Sequence, residues 1–145
     1  MRDLRKAPAT LLLLMINVTA FAGLWIDIGT LEGPEWVRGL LLQGAQFAPL
    51  SLDTQWYRLF THMFMHGGVV HLIMNMYALF IVGTEVENLT GTGKFLLIYF
   101  VTGLCASIAS LYFSLFMIGV GASGAIFGLF GFSLAIQVKE NYTEP

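Results

Sequence analysis

Charge is scarce in this chain. Of its 145 residues, 7 are Lys or Arg and 9 are Asp or Glu, so charged side chains make up 11%. A soluble domain carries about 25%. That scarcity excludes a solvated disordered chain and an ordinary soluble enzyme. The formal net charge of -2 leaves no basic surface for nucleic acid. A lone cysteine, Cys105, excludes an intrachain disulfide framework and a multi-Cys zinc site.

The residues that are present are mostly apolar: 57% are hydrophobic, and the mean hydropathy is +0.75. Charge is absent from Ala7 to Ile26, from Leu59 to Thr84 and from Phe95 to Val138. A bilayer core about 30 Å thick takes about 20 apolar residues in a helix. The last stretch is long enough for two spans, with a turn near Ser114, Gly119 and Gly121. The pattern predicts an all-α membrane protein in one domain, residues 1–145. Its four transmembrane spans are expected at about 9–28, 69–84, 95–113 and 123–138.

The linkers differ. Residues 29–68 are too many for a turn and hold Pro34, Trp36, Phe47, Pro49, Trp56 and Tyr57. Mixed aromatic and amphipathic content predicts a structured loop at the membrane interface. The linker from Glu85 to Lys94 is short, with Gly91 and Gly93. Arg2, Arg5 and Lys6 precede the first span, which predicts a cytoplasmic N-terminus. Alternation then puts the long loop outside, Lys94 inside, the turn before Ser123 outside and Lys139 inside. Arg5-Lys6, the leucine run and Ala20-Phe21-Ala22 also resemble a signal peptide. The apolar run continues through Ile26, longer than a usual signal core, and the later topology is the same either way.

Polar residues inside apolar spans are expensive, which makes them functional candidates. All three histidines fall between His62 and His71. His71 and Asn75, spaced i, i+4, share a helix face and can both donate to a developing negative charge. Taken alone, an interhelical hydrogen bond explains Asn75 more economically. His62 and His66 have HxxxH spacing, but Met63 stands where a zinc protease needs its glutamate. A plain metal site stays open there, and hydration of a cavity mouth is the simpler role. Farther along, Gly121-Ala122-Ser123-Gly124 opens the fourth span. Orphan N–H groups at a helix start suit an oxyanion, and the flanking Gly121 and Gly124 let a substrate backbone approach. Taken alone, Ser123 as an N-cap and Gly124/Gly128 as a packing motif explain the string as well.

In combination, these segments resemble the rhomboid family of intramembrane serine proteases. The likeness runs from about Trp56 to Val138. It rests on Trp56-Tyr57-Arg58, His62 through Asn75, Glu87 with Gly91 and Gly93, and Gly121 through Gly128. The resemblance implies Ser123 as nucleophile, with His71, Asn75 and the Ser123 N–H as oxyanion donors. It implies that His62 and His66 line the polar, water-accessible end, and that they bind substrate together with Gly121 and Gly124. Trp56 and Arg58 resemble the family's Trp-Arg pair in the first loop, here with Tyr57 between them. Glu87 matches an acidic residue at the inner end of the second helix. The family needs no metal or cofactor, and its substrates are transmembrane helices in the bilayer. The implied location is the plasma or inner membrane.

One departure matters. Family enzymes take their general base from a histidine on a sixth helix, and no histidine follows His71 here. The expectation is therefore a six-helix core lacking its last two helices, inactive on its own. A protease-dead relative that binds transmembrane clients, and a transporter fragment with a polar path, remain alternatives.

Overall fold

The computed structural model describes residues 4–143, with side chains from Arg5 to Lys139. Arg2, Pro145 and the side chain of Glu140 lie outside this description. The described residues are helices and turns: α1 (Pro8–Ile28), α2 (Gly33–Gln43), α3 (Ala48–Asp53), α4 (Arg58–Thr61), α5 (Val69–Ala78), α6 (Thr84–Thr90), α7 (Thr92–Phe113) and α8 (Ser123–Thr143). A 3-10 turn at His62–Phe64 follows α4, and a π turn at Leu79–Gly83 joins α5 to α6.

Three helical stretches are long and apolar enough to cross a bilayer: Pro8–Ile28, Val69–Thr90 and Thr92–Phe113. The fourth expected span is α8, whose apolar part runs Ser123–Lys139. At 1.5 Å per residue that part covers about 25 Å, just short of the hydrocarbon core. The long first linker folds into α2, α3 and α4. Phe21 of α1 meets Trp36 of α2 edge-on at 5.3 Å, and Leu24, Leu40, Ala45 and Leu72 complete that cluster.

The second span corrects the sequence-based boundary. It was expected to end at residue 84, before the first glutamate. The helix instead continues through Glu85 and Glu87 to Thr90, and the expected linker shrinks to Gly91. Gly91 has φ +81, a backbone state that favours glycine. The reason is hydrogen bonding. The N-cap residue of α1, Ala7, gives no side-chain cap. Glu87, 1% exposed, supplies it from outside. Its carboxylate accepts the N–H of Ala9 (3.0 Å) and Thr10 (2.8 Å), the Thr10 hydroxyl (2.8 Å) and the Thr92 hydroxyl (2.7 Å). A negative charge at a helix N-terminus also meets the macrodipole favourably. So Glu87 fastens α1, α6 and α7 together from inside the fold, two residues past the Glu85 at which the span was expected to stop.

The last two helices lie against each other. A Cβ at Gly124 would stand 2.5 Å from that of Ala106, and one at Gly128 would collide with Thr102, both on α7. Gly124 and Gly128 therefore let α7 and α8 approach closely. Gly131, one turn further on, opens on space. Between these helices and the second span sits the main core, including Leu79, Val82, Phe95, Tyr99, Ala125 and Leu129. Exposed Leu12, Ile73, Leu97 and Phe127 ring the outside, as lipid contact requires.

Candidate active site

Ser123 is placed by its helix start. The Ile126 N–H donates to the Ala122 carbonyl at 3.0 Å, which makes Ala122 the capping residue and Ser123 the first residue of α8. Ser123 is therefore not the N-cap. The N–H groups of Ser123, Gly124 and Ala125 begin the helix without acceptors inside it. Among the described residues, the Ser123 side chain has no hydrogen-bonding partner.

The turn before it is held at two points. Gly119 pairs with Gln46 in an isolated antiparallel bridge. Gly121 donates its N–H to the His62 carbonyl at 2.9 Å. Gly121 has φ +106, and a Cβ there would lie 2.9 Å from His71 Cε1, 3.0 Å from Nε2 and 3.9 Å from Asn75 Nδ2. Only glycine brings this turn so close to the imidazole.

The α5 face orients both partners. Gly67 donates its N–H to His71 Nδ1 at 3.3 Å. A neutral imidazole whose Nδ1 accepts carries its proton on Nε2, the nitrogen beside Gly121. Asn75, 7% exposed, donates from Nδ2 to the His71 carbonyl at 2.9 Å, with a second amide hydrogen left. The structure thus brings His71, Asn75, Gly121 and the helix start at Ser123 into one volume.

Two cavities meet at the serine. One of about 140 Å³ is lined by Gln46, His62, Ser107, Ser110, Ser123 and Gly124, among others. The other, about 230 Å³, runs along Met74, Asn75, Ser123, Ile126, Phe127 and Phe130. The first has polar side chains from Gln46, His62, Ser107 and Ser110 in its wall and the second is mainly apolar, so Ser123 sits where the two meet.

His62 and His66 are deeper than expected. They are 8% and 1% exposed, and no ring nitrogen of either makes a well-formed hydrogen bond. Burial pulls the pKa of each down to about 4, with the neighbouring His71 lowering His66 further, and the nearby carbonyls of Leu59 and Phe64 offset this only in part, so both are neutral at pH 7. His62 lines the polar cavity. His66 lies under His71, ring centroids 5.3 Å apart, rather than at a mouth. No helix puts the two on one face, because the 3-10 turn ends at Phe64 and Met65 is extended. Among the described residues no three His, Cys, Asp or Glu side chains gather to hold a metal.

Trp56 and Arg58 separate. Trp56 is 74% exposed, whereas Arg58 is buried. The guanidinium donates to the Leu41 and Ala45 carbonyls, each 2.7 Å away, and to Gln55 Oε1 at 2.6 Å. Arg58 therefore ties the first loop together from within. Sequence reasoning missed Gln46, Ser107 and Ser110 as cavity residues. A signal existed for the serines: two hydroxyls at i, i+3 inside an uncharged span.

A family model for the rhomboid domain matches residues 53–143. The chain is 39% identical over 134 residues to rhomboid protease GluP of Bacillus subtilis, covering 92% of this chain and 25% of that protein. It is 31% identical over 151 residues to rhomboid protease AarA of Providencia stuartii, covering 94% and 53%. A third relative, the putative rhomboid protease YdcA of Bacillus subtilis, is 38% identical over 88 residues. The chain belongs to the rhomboid family. It is an all-α integral membrane protein of an intramembrane protease family, and it spans between a quarter and about half the length of GluP and AarA.

Proposed function

We propose that this rhomboid chain forms the hydrolytic core of an intramembrane serine endopeptidase that cuts transmembrane helices of other membrane proteins. Ser123 Oγ attacks the scissile carbonyl, forming a C–O bond and placing negative charge on the carbonyl oxygen. His71 Nε2–H, the second Asn75 amide hydrogen and the Ser123 N–H donate to that oxygen. The serine proton goes to a histidine outside residues 1–145, which then protonates the departing amine. Water drawn through the polar cavity hydrolyses the acyl-enzyme. The apolar groove along Phe127 and Phe130 suits the flank of a substrate helix.

The observation that carries this reading is the close approach of Gly121 to His71 and Asn75, two residues before a helix start whose capping residue, Ala122, has no side-chain acceptor. The names of GluP and AarA support the reaction class. The test is cleavage of a transmembrane substrate by the full polypeptide in liposomes. Wild type is expected to cut, and Ser123→Ala to abolish cutting while substrate still binds. Binding without cleavage by wild type would establish a protease-dead client binder instead.

The orientation follows from charge. Arg5 and Lys6 before the first span, with Lys94 and Lys139, put the N-terminus in the cytoplasm of a plasma membrane, as the bacterial relatives suggest. The site then opens outward. In a Cys105→Ala background, an impermeant thiol reagent added outside should label Glu32→Cys and spare Lys94→Cys. The opposite pattern would invert the topology.

A further inference from the structure

The first loop reaches the nucleophile turn through one side chain that the chemistry above leaves unused. Gln46 is 2% exposed. Its N–H donates to the Gly119 carbonyl and its carbonyl accepts the Gly119 N–H, both at 2.9 Å. No neighbouring strand extends this bridge, so the backbone pair stands without a ladder. The side chain braces it. Gln46 Nε2 donates to the Ser107 carbonyl at 2.8 Å and to the Ser107 hydroxyl at 2.9 Å. Ser107 belongs to α7 and is 1% exposed.

Three parts of the molecule therefore meet at Gln46: the first loop, the third span and the turn that delivers Ser123. The packing is close, since a Cβ at Gly119 would stand 2.7 Å from Gln46 Oε1. Two residues on, Gly121 lies against His71. A shift at Gly119 thus passes directly to the serine and to its distance from the donors. Catalytic groups must hold their geometry within about 0.5 Å.

We infer that Gln46 is a positioning residue: its carboxamide locks Gly119 to α7 and thereby sets Gly121 and Ser123 against His71 and Asn75. The consequence for rate rests on the serine-protease reading; the clamp itself does not. Gln46→Met separates the two. It keeps the side-chain volume and the backbone bridge but removes both Nε2 donations.

Amide hydrogen exchange of the full polypeptide in lipid nanodiscs reads the clamp without any catalysis. Gln46→Met should speed exchange across residues 117–124 about tenfold, from the loss of two buried hydrogen bonds, with α1 and the second span unchanged. In the cleavage assay it should lower kcat about tenfold and leave KM within about twofold. Unchanged exchange in the turn, or equal acceleration everywhere, overturns the clamp. A loosened turn with kcat intact, or with KM alone raised, overturns the positioning role. If wild-type cleavage survives Ser123→Ala, the hydrolytic reading fails, and the exchange result still decides the clamp.

Discussion

Replacing His71 or Asn75 by alanine in the full polypeptide should lower kcat about 10²–10³-fold each, with little change in KM. That is the usual cost of losing one oxyanion donor, about 2.7–4 kcal/mol in the transition state. The geometry explains why the loss falls on kcat. The Gly67 N–H occupies His71 Nδ1, so the free proton is on Nε2, on the side of Gly121. Asn75 spends one amide hydrogen on the His71 carbonyl and keeps one. Neither donor is needed until charge develops on the substrate oxygen, so neither contributes much to ground-state binding. Asn75→Asp is the sharper variant. It keeps the shape but replaces the amide donor by a carboxyl group that, when ionised, repels the oxyanion. Turnover in Asn75→Asp is therefore expected at or below that of Asn75→Ala. Unchanged kcat in both His71→Ala and Asn75→Ala would remove them from the site.

Much of this arrangement is legible in the sequence, because its signals are local. The spacing of His71 and Asn75 fixes a shared face once a helix forms. Gly121 and Ser123 mark a turn into a helix by their residue types alone. The spans follow from where charge is missing, apart from the inner end of the second. What the sequence hides is long-range pairing. The charges from Glu85 onward look like the end of a span because the partners of Glu87, namely Ala9, Thr10 and Thr92, lie on other helices. A carboxylate ends an apolar helix only when nothing pairs with it. Gln46 hides for the same reason, since Ser107 is 61 residues away. The HxxxH spacing misleads in the opposite sense. Its regular period suggests a helical face, yet the 3-10 turn over His62–Phe64 and the extended Met65 break that helix before His66.

Residues 1–145 by themselves should insert into a membrane and show no measurable peptide-bond cleavage. A serine hydroxyl is a weak nucleophile until an adjacent base takes its proton. Three candidates among the described residues, His71, His62 and Lys139, fail that role. His71 accepts from Gly67 at Nδ1 and so presents a proton, not a lone pair, toward the turn. His62 shares the polar cavity, but burial lowers its pKa to about 4, which makes it a poor base at pH 7. Lys139 lies at the other end of the apolar part of α8, about 24 Å along the axis. In a soluble serine protease, removing the base alone lowers kcat on the order of 10⁶-fold. What persists there, about 10³–10⁴ over water, comes from binding and the oxyanion hole. The same arithmetic puts residues 1–145 below the background of a gel-based cleavage assay. Adding a rhomboid segment that carries the base histidine, fused or co-expressed, should restore cutting. Ser123→Ala should abolish the restored activity, and alanine at the added histidine should abolish it equally. His62→Ala should leave the added base able to work. If purified 1–145 cuts a transmembrane substrate in a Ser123-dependent way, the base lies among its own histidines. His71→Ala and His62→Ala would then identify it: whichever abolishes that cutting, and not merely slows it, supplies the proton acceptor.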